Sequence, residues 1–172
     1  MRMKRMMTVA LLLMGLFCLG AAAAETELNI EGSFQLPRKP GLPPQKWNRL
    51  SGSNGSLEIL QDEEGVSVML SSEKKSRFGI YSAAVAAKAG DRIRIEAQVY
   101  ADEISVSILQ YAKGASSQTQ KVKASREGKK ISCEFTVADQ EAKGPTQSIR
   151  VCFQVQNGQQ ATIANVKAFR LD

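Results

Sequence analysis

Histidine is absent from all 172 residues. That absence removes the commonest general base near neutral pH, the Ser-His-Asp and Cys-His arrangements, and most zinc ligand sets. Catalysis by paired carboxylates, as in glycoside hydrolysis, stays open in principle. Aromatic residues make up only 6% of the chain, with one tryptophan and three tyrosines. No basic run is interleaved with them, so no nucleic-acid partner is expected. Helical periods are nearly missing too. Residues 83–88 read as helical, but Gly90-Asp91 follows too soon for a stable helix.

What is present begins with a leader. Arg2, Lys4 and Arg5 precede an apolar run over 6–19, and Ala21-Ala22-Ala23-Ala24 offers a small-residue cleavage site before Glu25. This order reads as a signal peptide over 1–24. The apolar run covers about 21 Å as a helix, against about 30 Å of bilayer hydrocarbon. With the alanines added it comes nearer to spanning, so an uncleaved anchor is the competing reading. Cys18 raises lipoprotein processing, but Phe17 stands where such signals want a small residue. The expected product is an exported protein, periplasmic or extracellular, with no membrane contact after cleavage. The formal charge is +6. Three of the positive charges sit in the leader with no acid, so the remainder carries half of it, which is ordinary for a soluble domain.

From residue 25 to 172 the chain reads as one all-β domain. The clearest strand is 92–100, where Ile93, Ile95, Ala97 and Val99 alternate with Arg92, Arg94, Glu96, Gln98 and Tyr100. Segments 57–60 and 66–70 read as a strand pair about the turn Asp62-Glu63-Glu64-Gly65. Strands are also expected over 78–86, 104–111, 129–137, 148–156 and 162–171. Residues 118–124 form a weak edge strand guarded by Lys121 and Lys123. Asn157-Gly158 is a hairpin signal into the last strand. Four prolines make 35–45 a loop. Nine or ten strands at this spacing predict a β-sandwich.

Beyond the leader the cysteines are Cys133 and Cys152. Cys133 shares the apolar face of its strand, and Cys152 lies opposite Val151 and Phe153. If both strands share a sheet, the sulfurs point to opposite faces. Two free, mostly buried thiols are expected over a disulfide.

Two segments bracket the domain. Leu28-Asn29-Ile30-Glu31-Gly32-Ser33-Phe34 opens it, and Ala161-Thr162-Ile163-Ala164-Asn165-Val166-Lys167-Ala168-Phe169-Arg170-Leu171 closes it. Between them come a Pro-rich loop leading to Trp47 and the Gly-Asp entry into Arg92-Ile93-Arg94-Ile95-Glu96-Ala97. Two strands taken as a pair follow, 131–137 and 149–155. The whole order resembles the cellulose- and xylan-binding modules appended to bacterial glycanases. The resemblance implies a galactose-binding-like jelly roll, a carbohydrate ligand and no catalysis. It departs at both brackets. Family members carry Asn-Gly-x-Phe-Glu at the start and paired aspartates before the last strand's Val, regions that often help hold a structural calcium. Here the matching residues are Glu31-Gly32-Ser33-Phe34-Gln35 and Ala164-Asn165-Val166. With both aspartates gone, no metal or other cofactor is expected.

Sugar recognition needs ring faces and planar polar side chains. Arg94, Gln98 and Tyr100 on one strand, and Arg150, Gln154 and Gln156 on another, would make such a surface if the two strands share a sheet, with Tyr111 joining it. An ordinary solvated sheet face has the same pattern. Trp47 is expected to pack the loop onto the sandwich, and Phe78 and Tyr81 to pack in the core. Asp62-Glu63-Glu64 reads as a charged hairpin tip. Glu58, Glu96 and Glu134 are the carboxylates a glycosidase would draw on, with nothing in the sequence to set their spacing. The alternative to sugar binding is a structural or protein-interaction sandwich of the cell envelope with a protein partner.

Overall fold

The computed structural model describes residues 24–140 and 144–172. The signal-peptide expectation over 1–24 therefore falls almost wholly outside the described residues. Twelve strands and no helix are present among them. They are β1 (Glu25–Glu27), β2 (Asn48–Arg49), β3 (Gly55–Asp62), β4 (Gly65–Ser72), β5 (Arg77–Tyr81) and β6 (Val85–Ala86). Then follow β7 (Arg92–Tyr100), β8 (Glu103–Tyr111), β9 (Ala115–Lys123), β10 (Lys129–Thr136), β11 (Ser148–Gln156) and β12 (Gln160–Leu171).

Two antiparallel sheets stack into a jelly-roll sandwich. The first runs β10-β7-β12-β4-β3, with β1 also paired to β12. The second runs β2-β5-β11-β8-β9, with β6 also on β11. Each strand's period-two alternation turns one side chain in two toward the other sheet. From the first sheet Ile93, Ile95, Val99, Leu70 and Ile163 face inward. From the second, Phe78, Ile80, Ile108, Val151 and Phe153 meet them.

Three expectations change here, for one reason: neighbours in sequence are not neighbours in a jelly-roll sheet. β10 and β11 do not pair, because β10 is an edge strand of the first sheet and β11 lies inside the second. Strands β7 and β11 likewise lie in different sheets. Asn157-Gly158 does not close a hairpin. Its turn carries the chain from one sheet to the other, with Asn157 in the left-handed region at φ 57°. The hairpin expected at Asp62 to Gly65 is present, with Asp62 opposite Gly65. The thiol expectation stands on different ground from the one assumed. Cys133 and Cys152 are free and buried, but in separate sheets.

The two bracketing segments are zipped together. β1 pairs with β12 from Glu25 opposite Leu171 to Glu27 opposite Phe169. The Leu28 amide then donates to the Ala168 carbonyl at 2.8 Å, and the Val166 amide to the Gly32 carbonyl at 3.1 Å. A bulge between Ala164 and Lys167 lets Val166 turn into the core. A Cβ on Gly32 would sit 1.8 Å from the Val166 carbonyl oxygen, so this approach requires glycine. Glu31, Phe34, Lys46 and Asn165 all take left-handed φ values, between 48° and 63°, at this seam. Trp47 pins it. Its ring packs on Phe34 at 5.1 Å between centroids and on Phe153 at 6.3 Å. Its Nε1–H donates to the Glu31 carbonyl at 3.0 Å. Trp47 thus packs the proline loop onto the sandwich, as its position in the sequence leads one to expect.

Opposite the seam, two sheet edges are clipped together by glutamines. Gln118 Nε2 donates to the Thr136 carbonyl at 2.7 Å, and Gln120 Nε2 to the Glu134 carbonyl at 2.6 Å. Side chains of β9 therefore satisfy part of the edge backbone of β10, which is then not offered to another chain.

Candidate functional site

The seven residues singled out for sugar contact divide between the two outer faces. Arg94, Gln98 and Tyr100 stand on β7, on the outside of the first sheet. Arg150, Gln154 and Gln156 stand on β11, and Tyr111 on β8, on the outside of the second. The structure brings the second group together and leaves the first on the far side of the molecule.

On the first sheet, charge is spent on neighbours. Arg94 holds Glu25 through two bonds of 2.6 Å and stacks on Phe169 at 4.9 Å. Its Nε lies 3.1 Å from Glu96 Oε1 without the alignment of a hydrogen bond. Lys130 Nζ lies 2.8 Å from the other Glu96 oxygen, and Arg92 meets Glu134 at 3.0 Å. The Lys130 hydrogen bond holds the Glu96 carboxyl below the ordinary carboxylate range. A glycosidase acid needs the opposite shift, so Glu96 is tuned away from that role. Gln98 and Tyr100 do line an open cavity of about 620 Å³, together with Asp62, Glu64, Thr162 and Asn165.

On the second sheet the outward side chains belong to a different pattern. Ser105, Ser107 and Cys152 point away from the core by alternation, yet are only 6%, 4% and 2% exposed. Small side chains can point outward and stay buried only where taller neighbours stand over them. With Gly79, directly opposite Gln154, they form a covered floor on this face. A Cβ on Gly79 would come within 2.6 Å of the Phe153 carbonyl oxygen, so the floor cannot rise at that point. Ser107 and Thr119 share a hydroxyl hydrogen bond of 2.9 Å across the floor. Burial pushes the Cys152 thiol up to about 12, so it stays protonated and unreactive near neutral pH.

Arg150 stands on this face between two rings. Its guanidinium carbon lies 5.0 Å from the Tyr81 centroid and 5.2 Å from the Tyr111 centroid. The rings come from β5 and β8, the strands on either side of β11. Sequence reasoning placed Tyr81 in the core. Phe78 and Ile80 are there, but Tyr81 follows Ile80 by one and so faces out, half-buried. The period-two count from Phe78 carries that signal. Arg150 Nε and Gln154 Nε2 are buried with no hydrogen-bond partner. The two residues stand four positions apart on β11, about 13 Å along the strand, on the same outer face.

No family model matches the sequence, and neither does any curated protein. Solved structures do match its fold. A family 11 carbohydrate-binding module from Clostridium thermocellum, solved with a β-1,3-1,4-mixed-linked tetrasaccharide, is 16% identical at a TM-score of 0.55, over 86% of this chain and 96% of that one. A cyclase from Fischerella sp. TAU is 10% identical at a TM-score of 0.61, over 86% and 98%. The enzymatically active domain of bacteriophage CBA120 tailspike protein 4 is 10% identical at 0.55, over 74% of this chain but only 20% of that one. Carbohydrate-binding modules of families 4 and 22 share the fold as well. At such identities the likeness is one of fold: a jelly roll of the carbohydrate-binding-module type, used by sugar binders and by enzymes.

Proposed function

We propose that this protein is an exported, non-catalytic carbohydrate-binding module that holds a polysaccharide or glycoconjugate on the outer face of its second sheet. One observation carries the reading. Arg150 lies between Tyr81 and Tyr111 on the outer face of the second sheet, and its Nε and the Gln154 Nε2 are buried without a partner. Rings with adjacent planar donors are what sugar hydroxyls and C–H faces require. The fold supports it, since carbohydrate-binding modules recur among the similar structures. On this face the Glu103 carboxylate sits 3.8 Å from Lys121 Nζ. A single module of this kind is expected to bind with micromolar to millimolar affinity, about −8 to −4 kcal/mol. Export is read from the signal-peptide pattern over 1–24, with the periplasm or the outside of the cell as the proposed destination.

Glycan-array or pulldown binding of the purified protein tests the proposal. Retention on at least one glycan class, lost in Arg150→Ala with the fold intact, is the expected result. A folded protein retained on none contradicts it. The second reading, a protein-interaction sandwich of the cell envelope, is favoured by Leu36 and Leu42. These exposed large hydrophobics both stand on the proline loop. A protein crosslinked through that loop, together with no glycan binding, decides for it.

A further inference from the structure

The outer face of the second sheet carries more positive charge than its described residues neutralise, with Lys121 alone paired, to Glu103. Arg77, Arg150, Lys121 and Lys123 point from it, against the single carboxylate of Glu103. The first sheet's outer face is the reverse case, with Arg92, Arg94 and Lys130 each seated on an acid. Arg150 is the sharpest instance. Among the described residues none gives its guanidinium a hydrogen bond or an ion pair, and Nε is already out of water. Arg77, opposite Gln156 at the start of β5, has no ion-pair partner among the described residues either. A partly desolvated cation without an anion is unfavourable unless a ligand supplies one. The Tyr81 and Tyr111 rings, on either side of Arg150, offset part of that cost but bring no acceptor.

On the reading that this face binds sugar, we propose that its ligand is an acidic glycan bearing carboxylate sugars, and that Arg150 takes the carboxylate. Tyr81 and Tyr111 lie 5.0 and 5.2 Å from the guanidinium carbon and supply it no acceptor. A carboxylate is planar, presents two oxygens, and matches a guanidinium fork edge to edge. The Gln154 amide, about 13 Å along the strand, then meets an oxygen of a neighbouring residue of the same chain. The surplus of cations over one acid attracts a polyanion and disfavours ligands bearing ammonium groups.

Affinity electrophoresis of the purified protein tests this in gels of polygalacturonate, alginate and glucuronoxylan. Each is run beside its carboxyl-reduced, neutral form, with a sulfated dextran as a further arm. The expected result is retardation in at least one carboxylate glycan, at least tenfold weaker in its reduced form. Arg150→Gln is expected to lose at least tenfold in the acidic gel, and Arg150→Lys to lose less, with both keeping the wild-type near-ultraviolet dichroism. Equal retardation in acidic and reduced forms, unchanged by Arg150→Gln, overturns the acidic specificity and leaves sugar binding standing. Retardation by the sulfated polymer alone overturns the carboxylate assignment. No retardation in any acidic or neutral gel overturns both this inference and the sugar-binding reading.

Discussion

The Arg150 guanidinium lies 5.0 Å from the ring centroid of Tyr81, across the boundary between β11 and β5. The contact joins the one aromatic that strand parity turns outward on β5 to a cation with no anion of its own. Replacing Tyr81 by alanine removes one wall of the site and leaves Phe78 and Ile80 in the core untouched. Glycan affinity is expected to fall by about 1–2 kcal/mol, roughly tenfold, while the unfolding midpoint moves little. Calorimetric titration beside thermal melting measures the two effects separately. Unchanged affinity would remove Tyr81 from the site.

Trp47 is where the proline loop, the opening segment and the core meet. Trp47→Ala is expected to cost about 3–5 kcal/mol of stability, read from urea denaturation. Trp47→Phe keeps much of the packing on Phe34 and Phe153 but loses the bond to the Glu31 carbonyl, at about 1 kcal/mol. Equal losses in the two variants would show that the indole hydrogen bond dominates.

Lysine and glutamine tie the opening segment to the proline loop beside the seam. Glu31 receives Lys46 Nζ at 2.5 Å and Gln35 Nε2 at 3.2 Å. Chelators are therefore expected to leave the melting temperature unchanged, and Lys46→Met to lower stability by up to about 1 kcal/mol. A melting temperature that falls in EDTA and returns with calcium would contradict this.

Burial raises the Cys133 thiol to about 11 and the Cys152 thiol to about 12, from the ordinary 9.0. The folded state thus keeps protons that the unfolded chain gives up. Stability from both thiols is complete below pH 9 and is lost as pH rises from there toward 11–12. Denaturation curves from pH 8 upward are expected to show this slope, and the double variant Cys133→Ala, Cys152→Ala to flatten it. In the same range below pH 9, iodoacetamide should label neither thiol until denaturant unfolds the chain.

Gln118 and Gln120 reach across the open edge to carbonyls of β10. Alanine at either position is expected to cost about 1 kcal/mol. It should also speed hydrogen exchange in β9 and β10 before any other strand. Uniform exchange across the sandwich would show that the clip has no local role.

Inside and outside were legible along most strands, because period-two alternation depends only on neighbours in the chain. Arg92–Tyr100 shows it in full: each of Ile93, Ile95, Ala97 and Val99 is in the core. Sheet membership was not legible, since it depends on which distant strand each one meets. For that reason Gln98 and Gln154, alike in sequence context, ended on opposite faces. Charge neutralisation was hidden too. Arg94 finds Glu25 only because β1 and β7 both flank β12. The bracketing segments were visible as landmarks, but their direct pairing, and the reason Gly32 is a glycine, emerge only when Val166 is placed against it.

The most direct test of the account is a nitrogen-15 correlation spectrum of the protein titrated with an oligosaccharide it retains. The account predicts shifts gathered on Tyr81, Ser105, Ser107, Tyr111, Arg150 and Gln154, with the other sheet silent. Shifts centred on Gln98 and Tyr100, beside the cavity on the first sheet, would contradict it.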